Sequence, residues 1–192
     1  MMLQLPRVIA VCGFKRSGKD TVADWLVLNY GYKKLKIADP LKQMCKDLFN
    51  LSDDQVETDL KDETDEKWGV SPRQIMQFMG TEVMQYKIQE LLPNVDRMFW
   101  MNKLVMDIDR CQTPVVISDV RFLHEYRALF DRYKDTFVIR IDNPSASSTS
   151  DAHVSENEWL NIPFHATLKN DGTLVDLHRK IDALMNESFQ NT

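Results

Sequence analysis

Residues near the start of the chain have the types and spacing of a phosphate-binding loop. The string GFKRSGKDT, residues 13–21, places Gly13, Gly18 and Lys19 as the pattern G-x-x-x-x-G-K-[ST] requires. In such a loop, backbone N–H groups and the lysine ammonium attract a phosphate. The next residue is Asp20, where a serine or threonine hydroxyl normally ligates Mg²⁺. The loop therefore predicts phosphate binding with an altered metal ligand.

Basic and hydroxyl side chains crowd the same loop. Lys15, Arg16 and Ser17 lie between the two glycines, and Thr21 follows the aspartate. A carboxylate is a good Mg²⁺ ligand, but it repels phosphate unless a metal or cations offset its charge. We therefore expect Asp20 to face the metal or the side chains of Lys15 and Arg16. Thr21 is the alternative metal ligand.

Three further cations stand at predicted helix starts. Lys42 and Arg73 each follow a residue–proline pair that begins a helix, and Arg121 follows the end of an apolar strand. A first-turn cation costs ~0.3–1 kcal/mol at exposed positions because it opposes the helix dipole. A bound phosphate would reverse that cost. Together with Lys19, these residues predict a pocket for several phosphates.

Asp119 closes the apolar strand PVVIS, residues 114–118, in the position of a Walker B acid. This carboxylate is suited to hold Mg²⁺ directly or through water, or to cap the following helix. Three aromatic residues, Trp100, Phe99 and Phe78, are candidates for a base-stacking slot, with burial in the core as the alternative.

The elements that must position these residues alternate along the chain. Strand patterns occupy residues 7–12, 33–38, 114–118, 136–142 and 166–171, and helical patterns occupy 19–30, 39–50, 71–92, 96–110, 120–133 and the end of the chain from Thr173. This order predicts an α/β fold, a three-layer sandwich around a mainly parallel five-stranded sheet. Ligands of such sheets bind beyond the carboxyl ends of the strands, where the loop and Asp119 are expected.

Two polar segments interrupt the pattern. Residues 52–67 are acidic and lack a clean helical period, which predicts a solvated loop or a short helix with high mobility. Residues 143–159 are small and polar, which predicts a long flexible loop.

Composition argues against several classes of protein. The net charge of −5 is unlike that of a general nucleic-acid binder. No apolar run approaches the ~20 residues that span a bilayer, so no membrane partner is expected. The three cysteines, Cys12, Cys45 and Cys111, are odd in number and lack metal-ligand spacing. They predict reduced thiols and a cytoplasmic protein.

A donor phosphate site and a separate set of cations together favour phosphoryl transfer to a phosphate-bearing acceptor. The acceptor oxygen is then already anionic, so catalysis needs positioning and charge neutralisation more than a general base. A kinase acting on an alcohol would need a carboxylate to take the hydroxyl proton, a role for which Asp119 is the candidate.

Five blocks of the sequence resemble a known enzyme family. GFKRSGKDTVADWL, SPRQIMQFMGTEV, VDRMFW, SDVRFLHE and LKNDGTLVDL together look like the deoxynucleoside monophosphate kinases of bacteriophages and large DNA viruses. The resemblance runs from the first strand to the final helix. Eukaryotic phosphomevalonate kinase has a similar S-G-K-D loop and S-D-x-R strand end, whereas the RMFW and MQFMGTE blocks favour the nucleotide enzymes.

The resemblance implies ATP-dependent phosphorylation of a (deoxy)nucleoside monophosphate to the diphosphate, with Mg²⁺, in the host cytoplasm if the chain is viral. It implies one P-loop kinase domain over residues 1–192, with an acceptor-binding helical segment over about 40–111 and a lid over about 143–160. Base selectivity, sugar preference and the choice between monomer and homodimer stay open.

The resemblance also assigns residues to sites by motif. ATP would be held by Gly13, Lys15, Arg16, Ser17, Gly18, Lys19, Asp20 and Thr21. The monophosphate would be held by Lys42, Arg73, Gly80, Thr81, Trp100, Asp119, Arg121 and Glu125. The catalytic residues would be Arg16, Lys19, Asp119 and Arg121, and the metal ligands Asp20, Thr21 and Asp119. The lid stretch contains no arginine or lysine, so a catalytic arginine must come from elsewhere, with Arg16 and Arg121 the leading candidates.

Two other functions stay open from sequence. One is a small-molecule kinase with a non-nucleotide phosphorylated acceptor, such as phosphomevalonate. The other is a P-loop module that binds nucleotide without phosphorylating an acceptor.

Overall fold

The computed structural model describes residues 4–146 and 158–189. The chain divides into two compact units. The first, called here the sheet unit, comprises residues 1–36 and 105–192. The second, called the helical unit, comprises residues 37–104. The single-domain description stays a prediction.

The sheet unit is built on five parallel strands in the order β2-β3-β1-β4-β5. The strands are β1 (Val8–Cys12), β2 (Lys33–Leu35), β3 (Val115–Ile117), β4 (Phe137–Asp142) and β5 (Ala166–Lys169). The central strand β1 is buried along its whole length, as its unbroken apolar sequence predicts. With the helices that flank the sheet, this order confirms the predicted α/β sandwich.

Among the described residues, the α-helices that lie wholly in the sheet unit are α1 (Lys19–Tyr30), α6 (Leu123–Arg132) and α7 (Leu174–Phe189). Helix α1 ends at Gly31, whose φ of 72° is the left-handed conformation that glycine adopts without a Cβ penalty. Side chains of α1 and α7 pack with β1 and β4 in one buried cluster that includes Leu26, Ile139 and Ile181. This packing holds the start of α1 beside the end of β1.

The helical unit contains α2 (Asp39–Phe49), α3 (Asp53–Glu57), α4 (Pro72–Gln77) and the first half of α5 (Phe99–Arg110). Short 3₁₀ helices cover Asp59–Asp62, Lys87–Glu90 and Asp96–Met98. Its core is formed by four buried side chains, Cys45, Leu51, Val56 and Ile75. Val56 belongs to the acidic stretch 52–67, so one side of that stretch is anchored in this core.

The helix predicted over 71–92 is present but irregular, because α4 is followed by a π-helix, Phe78–Tyr86, and then a 3₁₀ turn. The Asp39-Pro40 pair predicts an N-cap at Asp39, which is wrong, because Ala38 occupies that position and makes no side-chain cap. The spacing of Ser71 and Gln74 predicts a capping box, which is present, with each side chain bonded to the other residue's backbone N–H.

Candidate active site

The loop between β1 and α1 turns through several left-handed residues. Gly13 and Gly18 have φ of 148° and 105°, and Arg16 adopts φ of 64° between them. A non-glycine residue in this conformation costs on the order of 1–3 kcal/mol and persists only where its surroundings impose it. Positive-φ residues of this kind occur in the backbone of anion-binding nests. The loop conformation is therefore compatible with phosphate binding, which stays a prediction.

Ser17 lies at the bottom of this loop with its hydroxyl unsatisfied. The residue is 1% exposed, and its Oγ has no hydrogen-bond partner among the described residues. A buried polar atom without a partner costs roughly 1–3 kcal/mol, so an orphan in a phosphate-loop pattern points to a ligand that supplies the missing bond. A phosphate oxygen can accept a hydrogen bond from that hydroxyl.

Asn170 braces the loop from the carboxyl end of β5. Its Nδ2 donates to the Ser17 carbonyl oxygen at 2.9 Å. A Cβ built on Gly18 would lie 2.5 Å from the same Nδ2 atom. Glycine at this position therefore lets the amide approach, and the loop is fixed by a side chain more than 150 positions away in sequence.

The ammonium of Lys19 folds back over the loop. Its Nζ donates to the Gly13 carbonyl oxygen at 2.9 Å and to the Phe14 carbonyl oxygen at 2.6 Å. Trp159 packs edge-on against Phe14 with ring centroids 4.9 Å apart. The predicted lid, residues 143–160, lies mostly outside the described residues.

Asp20 is held by partners that the sequence analysis did not predict. Its Oδ1 accepts from Lys34 Nζ at 2.7 Å, Lys36 Nζ at 2.9 Å and Ser118 Oγ at 2.9 Å. Burial alone would raise the pKa of this carboxyl, but hydrogen bonds from the two lysines and the serine outweigh it and lower the pKa below its usual range. The expected partners Lys15 and Arg16 are thus replaced by cations from the end of β2.

The end of β3 carries Asp119, Arg121 and Glu125. The predicted cap role of Asp119 is wrong, because the N-cap of α6 is Phe122. The cap bonds come from Glu125, whose Oε2 accepts from the backbone N–H groups of Arg121 at 2.8 Å and Phe122 at 3.0 Å. Arg121 accordingly precedes α6 and is not a first-turn cation.

Glu125 is 8% exposed, and burial raises its pKa to about 7 against the opposing backbone hydrogen bonds. The folded chain therefore binds this proton more tightly than the unfolded chain does. Because of this difference, the free energy of unfolding falls as pH rises from about 4.5 to about 7. The slope approaches about 1.4 kcal/mol per pH unit. We expect Glu125→Gln to remove this decline, measured by denaturant unfolding across that range.

The matched control for this experiment is Glu187→Gln, an exposed position in α7. It should reproduce the pH profile of the unaltered protein. Parallel profiles for the unaltered protein and Glu125→Gln would contradict the assignment of the decline to Glu125.

In the helical unit, the two cations expected to bind the acceptor each meet a carboxylate. Lys42 Nζ lies 2.6 Å from Glu57 Oε2. Arg73 donates from Nε to one oxygen of Asp62 and from Nη2 to the other, the latter at 3.0 Å. Both carboxylates belong to the acidic stretch that the sequence analysis described as a solvated loop or short helix. Charge pairing therefore orders part of that stretch.

Gly80 and Thr81 lie in the π-helix, and Trp100 of α5 is hydrogen-bonded to it. Trp100 is 9% exposed, and its indole Nε1 donates to the Gly80 carbonyl oxygen at 2.9 Å. A Cβ on Gly80 would lie 2.6 Å from Leu41 Cδ2, which explains the glycine. Thr81 is half-buried in the same π-helix, a conformation that often occurs at functional sites. Base stacking by Trp100 stays a prediction.

A family model described as deoxynucleotide monophosphate kinase matches residues 7–64 and 46–181 of the chain. The chain belongs to the deoxynucleotide monophosphate kinase family. The predicted family resemblance is therefore confirmed.

Two relatives in the family come from viruses. A protein of Acanthamoeba polyphaga mimivirus, named as a deoxynucleotide monophosphate kinase, is 32% identical over 195 residues that cover 95% of this chain and 98% of its own. The deoxynucleotide monophosphate kinase of Enterobacteria phage T4 is 24% identical over 245 residues, covering 91% and 97%. These relatives support a nucleotide kinase activity.

The fold also occurs in a bacterial kinase. Dephospho-CoA kinase from Campylobacter jejuni matches with a TM-score of 0.50 and 14% identity, covering 96% of this chain and 98% of that structure. At this identity, the similarity concerns the fold alone. Among the described residues, no helix combines the length and the apolar character needed to cross a membrane.

A Mg²⁺ site formed by protein side chains alone is not present in residues 4–146 and 158–189, where no group of three or more His, Cys, Asp or Glu could hold a metal ion. Mg²⁺ in phosphoryl-transfer enzymes usually takes one or two carboxylates, waters and substrate phosphates. The Asp20 carboxylate fits this mode because its three contacts all fall on Oδ1, which leaves Oδ2 for a metal.

Several side chains of the candidate site were not predicted from sequence. They are Lys34, Lys36, Glu57, Asp62, Ser118 and Asn170. Lys34 and Lys36 did carry a signal, since residues two apart on a strand share one face and these stand at the end of β2. Asn170 similarly follows β5 at the edge where ligands of parallel sheets bind.

Proposed function

We propose that the protein transfers the γ-phosphoryl group of ATP to a (deoxy)nucleoside monophosphate. The bond between the γ-phosphorus and the β,γ-bridging oxygen breaks, and a bond forms between that phosphorus and an oxygen of the acceptor's α-phosphate. The products are ADP and a nucleoside diphosphate. The orphaned, buried hydroxyl of Ser17 within the braced loop is the observation that carries the donor site.

The donor phosphates are taken by the loop and its cations. The backbone from Gly13 to Thr21 supplies N–H donors, with Lys15, Arg16 and Lys19 around it. Mg²⁺ bound through Asp20, Thr21 or Asp119 would neutralise charge on the donor phosphates. The Lys19 ammonium, which bonds the Gly13 and Phe14 carbonyl oxygens in the free protein, would exchange these partners for a phosphate oxygen. Arg16 and Arg121 supply the remaining positive charge near the transferred group.

Residues proposed to bind the acceptor are, in the helical unit, Lys42, Arg73, Gly80, Thr81 and Trp100, and, in the sheet unit, Asp119, Arg121 and Glu125. A phosphate acceptor agrees with the chemistry of the available carboxylates. Asp20 is charge-paired with two lysines that help to lower its pKa below the usual range, which makes it a weak base for a hydroxyl proton.

An acceptor panel tests the proposal. ADP release from ATP is measured with deoxynucleoside monophosphates of the four bases, the matching ribonucleotides and phosphomevalonate. Turnover with at least one deoxynucleoside monophosphate is the expected result. Turnover with phosphomevalonate alone would establish the small-molecule kinase. ATP binding without acceptor-dependent ADP release would establish a nucleotide-binding module.

Replacing Arg73 with alanine should raise the KM for the monophosphate by roughly 10–100-fold and leave the KM for ATP nearly unchanged. The reason is that a charge-assisted hydrogen bond contributes about 1.5–3 kcal/mol. Steady-state kinetics with each substrate varied in turn measures the two constants. Lys87→Ala is the matched control, since it removes an exposed cation of the same unit. Equal losses for both substrates would contradict separate donor and acceptor sites.

A further inference from the structure

The acidic stretch of the helical unit places its carboxylates on the two cations assigned to the acceptor. Glu57 contacts Lys42, and Asp62 contacts Arg73. The pairs are independent of each other, since they join different helices to different positions of the stretch. A third carboxylate of the stretch, Asp53, lies 2.6 Å from Lys46, a cation that is not assigned to the acceptor.

The acidic stretch is anchored to the helical unit by hydrogen bonds and by a buried side chain. Ser52 and Gln55 form a capping box at the start of α3, and Gln55 Nε2 donates to Asp65 Oδ2 at 2.8 Å. Val56 is buried against Cys45 and Ile75. Asp62 follows within a few residues, at the end of the 3₁₀ helix. The carboxylate of Asp62 is therefore presented from an anchored backbone.

The contact between Asp62 and Arg73 uses one edge of the guanidinium. Nε and Nη2 each donate to a different carboxylate oxygen, which makes the pair bidentate and side-on. Arginine has five N–H donors in a rigid plane, so the edge formed by Nη1 and Nη2 keeps three of them. That remaining edge matches two phosphate oxygens. The pair holds the plane of the guanidinium without consuming its capacity to bind phosphate.

We propose that Asp62 is a positioning residue that orients Arg73 so that its Nη1–Nη2 edge receives the acceptor phosphate. This inference rests on the proposed function, in which Arg73 binds the acceptor. Without Asp62, a long and flexible side chain would have to be ordered at the moment of binding. Immobilising one such side chain weakens binding roughly threefold to tenfold.

The test measures equilibrium binding of a deoxynucleoside monophosphate to the full chain by calorimetry, without ATP. Asp62→Asn is expected to raise Kd about threefold to tenfold. In steady-state assays it should raise the KM for the monophosphate by a similar factor, with kcat and the KM for ATP within about twofold. A purely structural role would instead lower kcat and both affinities together. The conservative Asp62→Glu should recover part of the affinity, because it keeps the carboxylate.

Two controls distinguish an effect of Asp62 on the orientation of Arg73 from the loss of a negative charge and from misfolding of the helical unit. Glu63→Gln removes the same charge from the next residue, whose exposed side chain does not contact Arg73, and should leave Kd unchanged. In an Arg73→Ala background, Asp62→Asn should have no further effect on Kd, since its partner is gone. Thermal unfolding of each variant verifies that the helical unit is intact.

The other outcomes either overturn the proposal or separate it from the proposed kinase activity. A lower Kd for Asp62→Asn would mean that the carboxylate competes with the acceptor phosphate for Arg73. An unchanged Kd, or additive effects in the double variant, would mean that Asp62 does not act through Arg73. Monophosphate binding without turnover would refute the proposed kinase activity, but the binding comparison of Asp62→Asn with the unaltered protein would still test the role of Asp62. Absence of monophosphate binding by the unaltered protein would refute both.

Discussion

Replacing Lys19 with methionine is expected to lower kcat for phosphoryl transfer by about 10³-fold, the upper range for removing one donor that stabilises transition-state charge. In the free protein its ammonium bonds the carbonyl oxygens of Gly13 and Phe14. It thus lies over the loop and is available to follow charge as it develops on the donor phosphates. Methionine is one atom shorter but keeps an unbranched apolar stem, and it removes the ammonium with its charge and its hydrogen-bond donors.

Two matched variants sharpen the Lys19 experiment. Lys33→Met removes the same group from an exposed position of β2 and should retain nearly full activity. Lys19→Arg keeps the charge but replaces a compact ammonium with a planar fork, so it should recover only part of kcat. Rates come from initial-velocity assays at saturating substrates, and circular dichroism verifies the fold. A loss below tenfold for Lys19→Met would remove Lys19 from the catalytic residues.

The parts of the fold that sequence predicted well are those determined by neighbouring residues. Helix α1 begins at Lys19 and ends at Gly31, because the glycine adopts a conformation that the helix cannot continue. The five strands and their parallel arrangement follow from apolar runs alternating with helices. The π-helix could not be predicted in this way, because a 3.6-residue pattern carries no signal for a local change of hydrogen-bond register. Packing of Gly80 against Leu41 and Trp100 accompanies that change.

The candidate site shows the same division. The glycines, Ser17 and Lys19 are contiguous, so their spacing reveals the loop. The partners of Asp20 are not contiguous: Leu35 pairs with Ile117 in register, which brings the ends of β2 and β3 together. Only that tertiary register sets Lys36 and Ser118 beside the start of α1. The sequence therefore reveals the anomalous aspartate, but it offers only a metal or the local cations Lys15 and Arg16 as partners.

The short helix α3 agrees with the prediction for the acidic stretch, but the partners of its carboxylates were not predicted, for a related reason. Its lack of helical period and its many carboxylates are typical of a solvated loop. In the structure, Glu57 and Asp62 are paired with cations, and Val56 fills the core of the helical unit. Charge composition alone does not distinguish carboxylates that face water from carboxylates that orient a binding residue.

Replacing Gly13 with alanine is expected to destabilise the protein by roughly 3 kcal/mol, the combined cost of backbone strain and overpacking. The backbone φ of 148° lies where side chains are strained. A Cβ would lie 2.8 Å from the Ile141 carbonyl oxygen and 2.9 Å from Ser17 Oγ. The Ile141 carbonyl oxygen resists movement because it belongs to the backbone of buried β4, whereas Ser17 Oγ is a side-chain atom without a hydrogen-bond partner among the described residues. The loop must therefore shift, and ATP affinity should fall with stability.

Gly31→Ala is the control that distinguishes a steric clash of the new Cβ from the cost of a positive φ. Gly31 also has a positive φ, 72°, but nothing lies within 4 Å of its Cβ position. Alanine there should cost only the left-handed backbone term, about 1–2 kcal/mol. Differential scanning calorimetry should show a fall in Tm of about 6–12 °C for Gly13→Ala at about 2–4 °C per kcal/mol, and a clearly smaller fall for Gly31→Ala. Equal falls would mean that β4 does not crowd the loop and that Gly13 serves conformation alone.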